Sequence, residues 1–321
     1  MRFLITGGAG FLGSHLTDAL LERGDEVTIL DVASDLKVRH HLPHPRFRFV
    51  RDSILNREIL DGLISWCDVV YHLAAVVGVE HYVGDPYQVL NVNVNGTQNV
   101  LTTAFKAHKK VVFSSSSEVY GRSAVVPFRE DGDRVLGSTQ IDRWCYSTSK
   151  AVGEHFCFAY QRLGLPVVVL RYFNVYGPRL DTMDVGRVVT IFLGQLMRGV
   201  PLTVIGTGEQ TRCFTYVEDA TRATVAAGVK KEAIGKIINV GSDEEVSVKQ
   251  LAILMNRLFG STSPVSFVSQ ESVYGPSYED IPRRVPDIRR MRETLGVTPK
   301  VRLEEGLKLT IEWFRKNGQL R

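Results

Sequence analysis

Tyr146 and Lys150 stand four residues apart in Tyr-Ser-Thr-Ser-Lys, where a helical pattern opens, so both side chains share one face. An ammonium beside a phenol favours the phenolate, which makes a tyrosine usable as a base at neutral pH. A second polar element, Phe113-Ser114-Ser115-Ser116-Ser117-Glu118-Val119-Tyr120-Gly121, follows directly on an apolar run. Hydroxyls and a carboxylate just past a buried strand are placed for chemistry, although such a turn can also cap its own backbone. The third element is Thr6-Gly7-Gly8-Ala9-Gly10-Phe11-Leu12-Gly13, lying between a strand pattern and a helix pattern. Its glycines permit a tight turn and close approach to a pyrophosphate, and the free N–H groups of the helix start face that anion. Asp31 ends the next strand pattern, where it can accept hydrogen bonds from an adenosine ribose and repel a 2′-phosphate, favouring NAD over NADP. Asp52 and Ser53, after the third strand pattern, are placed to reach the adenine or to cap the following helix.

These groups need a frame that carries them to one edge. Apolar runs at 3–6, 26–31, 47–51, 69–73, 110–114 and 167–172 read as buried strands, with helical stretches at 12–23, 86–107 and 147–163 between them. Strands alternating with helices predict a doubly wound parallel sheet of Rossmann type, which binds ligands beyond the carboxyl ends of its strands. After Asn174 the texture changes, with Gly and Pro at 177, 178, 199, 201, 206 and 208. One more strand at 237–240 and a helix at 248–259 then suggest an excursion into a smaller α/β domain and a return to the first sheet. The expected division is 1–174 plus 236–261 for the cofactor domain and 175–235 plus 262–321 for the other.

Composition narrows the function classes. The chain has 321 residues, 44% apolar and 23% charged, with a net charge of +4, which is ordinary globular usage and excludes disordered and collagen-like classes. No apolar stretch approaches a membrane span, and no signal peptide is expected. Cys67, Cys145, Cys157 and Cys213 lack CxxC spacing and read as free thiols in a reducing cytoplasm. His40, His41 and His44 read as residues of a solvated loop, and no metal is expected. The arginine-rich run 283–292 lacks interleaved aromatics, so neither nucleic acid nor membrane is an expected partner.

In their order and spacing, the glycine turn, the serine run and the Tyr146/Lys150 pair resemble the extended short-chain dehydrogenase/reductase family acting on nucleotide sugars. The resemblance covers nearly the whole chain. It implies NAD as cofactor, held by Gly7, Gly10, Phe11, Leu12, Gly13, Asp31, Asp52, Ser53, Leu73, Ala74, Ala75, Tyr146 and Lys150. It also implies oxidation of the sugar at C4, with Tyr146 taking the hydroxyl proton, Ser116 sharing that hydrogen bond and Lys150 on the nicotinamide ribose. Ser117-Glu118 before Val-Tyr-Gly is similar to UDP-glucuronate decarboxylases, including UDP-xylose synthase, where a 4,6-dehydratase has Asp-Glu. The stretches 177–189, 201–204 and 210–212 are similar to the decarboxylases' sugar-nucleotide segment. Arg283-Arg284-Val285-Pro286-Asp287-Ile288 is similar to their C-terminal Arg-x-Pro element. This implies catalytic roles for Ser117, Glu118, Arg284 and Arg143, and substrate contacts from Asn174, Arg179, Arg187, Arg212 and Arg284. Guanidinium groups suit the carboxylate of a uronic acid. The loop 72–79 differs from that of the xylose synthases. A nucleotide-sugar 4-epimerase is the rival activity, and a non-catalytic nucleotide-binding protein the rival class. Relatives pair the helix 147–163 and the long helix before it into a four-helix bundle, so a homodimer is expected.

Overall fold

A computed structural model describes residues 1–180, 183, 186–275 and 279–318. Strands β1 (Arg2–Thr6), β2 (Glu26–Asp31), β3 (Phe47–Arg51), β4 (Val69–His72), β5 (Lys110–Ser116) and β6 (Val167–Tyr172) join the Ile237–Val240 strand in one sheet. From one edge the order is Ile237–Val240, β6, β5, β4, β1, β2, β3, and every pairing is parallel. Phe3–Ile5, Val27–Leu30 and Val167–Leu170 are almost wholly buried. Continuous apolar runs of this kind mark strands covered on both faces.

Two apolar layers cover the sheet. One joins Leu16, Leu20 and Leu21 of the Phe11–Glu22 helix to Ala220, Ala223 and Ala227 of the Val217–Val229 helix. The other holds Leu60, Leu63 and Ile64 of the Arg57–Trp66 helix with Val100, Leu101 and Ala104 of the Thr97–Lys106 helix. A third core lies beneath the second lobe and joins Phe192 and Leu193, Leu251 and Met255, and Leu307 and Ile311.

These cores group three segments differently from the sequence reading. The Val217–Val229 helix falls outside the expected cofactor domain but packs on its sheet, because its alanine face lets it approach closely. Conversely, the Val248–Phe259 helix packs its apolar face into the second lobe. The residues Met291 and Leu295 return to the first core. The stretch 86–107 is likewise not one uniform helix. A π-helical segment at Asn91–Gly96 separates Pro86–Leu90 from Thr97–Lys106. Its sequence, Asn-Val-Asn-Val-Asn-Gly, contains poor helix formers throughout.

Two buried polar assemblies connect this frame to the site. Arg171 on β6 donates from Nε and Nη2 to the two carboxylate oxygens of Glu154, at 2.8 and 2.6 Å. Its guanidinium lies 4.7 Å from the Tyr120 ring centre, and Ser115 Oγ donates to Glu154 at 2.5 Å.

The second assembly surrounds His72. Its Nδ1 lies 2.7 Å from Thr6 Oγ1 and its Nε2 2.9 Å from Thr97 Oγ1. Burial lowers the His72 pKa to about 3, and the His15 pKa falls to about 4 through burial and then the Arg179 charge. Below pH 6.5 the unfolded chain takes up a proton at His72 that the folded chain refuses. Stability is therefore full above that pH and falls towards pH 3 by about 1.4 kcal/mol per pH unit for each such group. His72→Gln is expected to flatten the acid limb of stability between about pH 6.5 and 4, followed by urea unfolding as a function of pH. A limb with unchanged slope would refute the assignment.

Candidate active site

The carboxyl ends of β1, β2, β4, β5 and β6 open onto one cavity of about 1050 Å3 that reaches across to the second lobe. The glycine turn forms one end. Gly7 has φ +76°, and a Cβ there would lie 2.6 Å from Ala74 N. A Cβ on Gly13 would lie 2.3 Å from Gly7 O, so neither position accepts a side chain without backbone movement. Asp31 braces the turn: Oδ2 accepts from Ala9 N at 2.9 Å and Oδ1 from Ala33 N at 2.9 Å. Asp52 and Ser53 line the same end. Neither caps the following helix; Asn56 does, accepting from Ile59 N at 3.4 Å. Gly10, Phe11, Leu12, Leu73, Ala74 and Ala75 also line the cavity. A glycine cradle beside a braced carboxylate fits the pyrophosphate and ribose of a dinucleotide.

Tyr146 and Lys150 project from the Arg143–Arg162 helix into the middle of the cavity. Lys150 Nζ donates to Ser114 O at 2.8 Å and lies 6.0 Å from the Tyr146 ring centre. Burial pushes the Tyr146 phenol up to about 12, with the Glu118 charge second, against a hydrogen bond from Ser116. Burial also pushes Lys150 down to about 8. Burial thus works against the lowering of the phenol expected from the lysine. Ser116 Oγ also accepts from Glu118 N at 3.2 Å, opening the short turn that follows β5.

At the far end, Glu118 is the centre of an arginine cluster. Arg143 Nη2 lies 3.0 and 3.2 Å from its two oxygens, and Arg284 Nη2 lies 2.8 Å from Oε1. Burial alone would raise this carboxyl, but Arg143 and Arg284 hold it down at about 2. Arg212 Nη2 pairs with Asp280 at 2.7 Å. Arg284 Nη1 reaches the buried Ser117 Oγ at 3.5 Å, while its Nε is buried with no hydrogen-bond partner among the described residues. Three guanidinium groups thus face two carboxylates, leaving one positive charge in excess. A buried polar end of this kind suits an anion.

The remaining residues divide. Asn174 (φ +38°) and Arg187 line the cavity. Asn174 Nδ2 donates to Cys213 O at 2.8 Å, and the Arg187 guanidinium lies 5.7 Å from the Phe11 ring centre. Arg179 does not join them. Its guanidinium turns to the Phe11–Glu22 helix, pairing with Asp18 and meeting His15 Nδ1 at 2.8 Å and Lys37 O at 3.3 Å. In this structure the Arg179 guanidinium faces the first helix rather than the cavity.

Sequence reasoning missed three residues. Asp280 neutralises Arg212, and Tyr82 stacks on Tyr146 with ring centres 6.0 Å apart. Asn93, in the π-helical turn, bonds both Val76 N and Val76 O, at 2.8 and 3.1 Å, and Ser149 Oγ at 3.1 Å. It joins the loop over the cavity to the helix of Tyr146 and Lys150. The one available signal was its asparagine-rich segment.

The sequence profile of the NAD dependent epimerase/dehydratase family matches residues 3–241. This chain belongs to that family. Among its relatives is a UDP-N-acetyl-alpha-D-glucosaminuronate decarboxylase of Bacillus cytotoxicus, 42% identical over 98% of each chain. The UDP-glucuronic acid decarboxylase 1 of Xenopus tropicalis is 39% identical over 98% of this chain and 72% of its own length. A UDP-glucuronic acid 4-epimerase from Bacillus cereus, solved with UDP-glucuronic acid and NAD, superposes with a TM-score of 0.88. It is 32% identical, over 98% of this chain and 99% of that one. As in this epimerase/dehydratase family generally, NAD is the cofactor, and the glycine cradle is where it fits. No helix among the described residues is long and apolar enough to cross a membrane.

Proposed function

We propose that this chain decarboxylates a UDP-hexuronate, UDP-glucuronate in the first instance, to UDP-xylose or its 4-keto form. The observation that carries the reading is the cluster in which Arg143 and Arg284 hold Glu118 at one end of the cavity while Arg212 lies beside them. Guanidinium pairs suit a sugar carboxylate and a diphosphate. Curated relatives named as decarboxylases of two such uronates support it.

NAD, when bound, supplies hydride removal and return. The chain's own residues do the rest. Tyr146 handles the C4 hydroxyl proton, with Ser116 sharing the hydrogen bond and Lys150 on the ribose. Asn174, Arg187 and Arg212 hold the nucleotide diphosphate. Arg284 and Arg143 hold the C6 carboxylate, and Ser117 fixes Arg284. Once C4 is a ketone, the carboxylate is that of a β-keto acid, and its loss as carbon dioxide sends the bonding electrons towards the new carbonyl. The enolate that remains takes up one proton at C5, and hydride return at C4 then gives the xylose.

Incubation with UDP-glucuronate, followed by NMR, tests the reading, with the 2-acetamido uronate run in parallel. UDP-xylose or its 4-keto form with carbon dioxide supports decarboxylation. UDP-galacturonate would identify the 4-epimerase suggested by the solved neighbour, and no turnover would leave a nucleotide-binding protein. Arg284→Ala removes hydrogen bonds to a charged group, so kcat/KM should fall about 10- to 150-fold, and Glu118→Ala should also lose product. Both should retain NAD; unchanged turnover in both would remove the assigned roles.

The proposed assembly is a cytoplasmic homodimer. Phe105, Phe156 and Tyr160 are only partly buried on the Thr97–Lys106 and Arg143–Arg162 helices, which is the face a four-helix bundle would cover. Sedimentation at micromolar concentration should report a dimer, and a monomer would overturn the proposal.

A further inference from the structure

The loop after β2 carries three histidines that the proposed reaction does not use. Two of them, in the short turn Arg39–His41, point the same ring nitrogen at one oxygen of the first helix. His41 Nε2 lies 2.6 Å and His40 Nε2 3.1 Å from Asp18 Oδ1. The three candidate ligand atoms lie within 4.8 Å of one another. The His40 and His41 rings are 3.9 Å apart, and His41 rests against Phe47 at 5.7 Å. His44 is turned otherwise, its Nδ1 accepting from Arg46 N at 3.2 Å.

We propose that His40 Nε2, His41 Nε2 and Asp18 Oδ1 form a binding site for a divalent transition metal ion of the zinc class. Two imidazoles and one carboxylate are the donor set that such ions prefer over Mg2+ or Ca2+. Bonds of about 2.0–2.2 Å set ligand atoms roughly 3.3–3.6 Å apart, so the present contacts need to open by less than 1 Å or so. Both histidine nitrogens now converge on one oxygen, an arrangement that a cation between them relieves.

Asp18 is already prepared as a ligand. Its other oxygen is held by Arg179, which fixes the carboxylate plane and leaves Oδ1 to the histidines, as partners outside the ligand shell commonly do. The side chain of His40 is about half exposed, that of Asp18 less so, so an ion can enter from solvent and keep water in its open positions.

The location gives the site a consequence. Val32, Ala33 and Lys37, in the same loop, line the cavity beside Asp31. An ion bridging this loop to the Phe11–Glu22 helix would fasten the wall of the cofactor's adenosine end. The site therefore acts as a structural clamp outside the reacting centre.

The test uses the full chain without a polyhistidine tag, stripped with chelator and titrated with Co2+ at pH 7.5. One Co2+ per chain is expected, with the visible absorption of a four- or five-coordinate ion, displaced by Zn2+ and not by Mg2+. His40→Gln and His41→Gln should each weaken binding by more than the ~10–100-fold that follows loss of an outer partner. As a readout independent of the variants, Zn2+ should raise the Tm of the stripped parent protein. Absorption no different from hexaaquo Co2+, or binding unaltered in both variants, overturns the proposal.

Discussion

Replacing Tyr146 by phenylalanine is expected to lower kcat by about 100- to 10,000-fold, the usual contribution of a positioned acid–base group. The substitution removes one oxygen and little else. The ring stacks on Tyr82 and packs with Val89 in a small apolar cluster, and phenylalanine keeps both contacts. KM and NAD retention should therefore change little, so the loss reports the missing hydroxyl. Product formation by NMR, with thermal unfolding as the control for folding, checks this. A kcat within tenfold or so of the parent would move the proton chemistry away from Tyr146.

The other large effect concerns stability. Glu154→Ala removes the partner of Arg171, whose guanidinium is buried against Tyr120 and makes two hydrogen bonds to that carboxylate. What remains is a charge only 4% exposed, with one bond left to Glu130 O. Breaking one side of such a buried pair costs about 3–5 kcal/mol, which urea unfolding would read as a shift in midpoint. Removing both charges together, as Glu154→Leu with Arg171→Met, should recover most of the loss, because an apolar pair of similar volume avoids the desolvation cost. If the double variant is no more stable than Glu154→Ala, the pair contributes packing or specificity beyond its charges. Glu154 lies one helical turn from Lys150, so the same variant also probes how firmly the lysine is held.

The sheet was legible because its strands are buried on both faces. Runs such as Val-Val-Val-Leu at 167–170 leave no ambiguity of period, and the strand at 237–240 was visible for the same reason. Ownership of the later helices was not legible. The alanine face of Val217–Val229 and the leucine face of Val248–Phe259 are both apolar stripes, and a stripe does not say which core it meets. At the site, residues fixed by local spacing were found: the glycine turn, Asp31, Tyr146 and Lys150. Those fixed by long-range charge were harder. Asp280 meets Arg212 across 68 residues, and Arg179 was drawn from the substrate segment to Asp18, 161 residues away. Nor could the sequence anticipate that burial would push the Tyr146 phenol up when a lysine stands four residues on. Local spacing finds the face, and burial then shifts the groups on it.

The parallel sheet closes late in synthesis. Its strand at Ile237–Val240 pairs with β6, yet the chain first makes the glycine-rich strands and helices of the second lobe. Roughly 65 residues separate the two strands, which at ~5–20 residues per second leaves the β6 edge open for about 3–13 s on the ribosome. Val167–Leu170 is an apolar, unpaired strand edge for that interval, the kind of surface that recruits foreign strands. The excursion that builds the second lobe thus sets a window of aggregation risk during translation, and a chain stalled before Ile237 would carry that edge permanently.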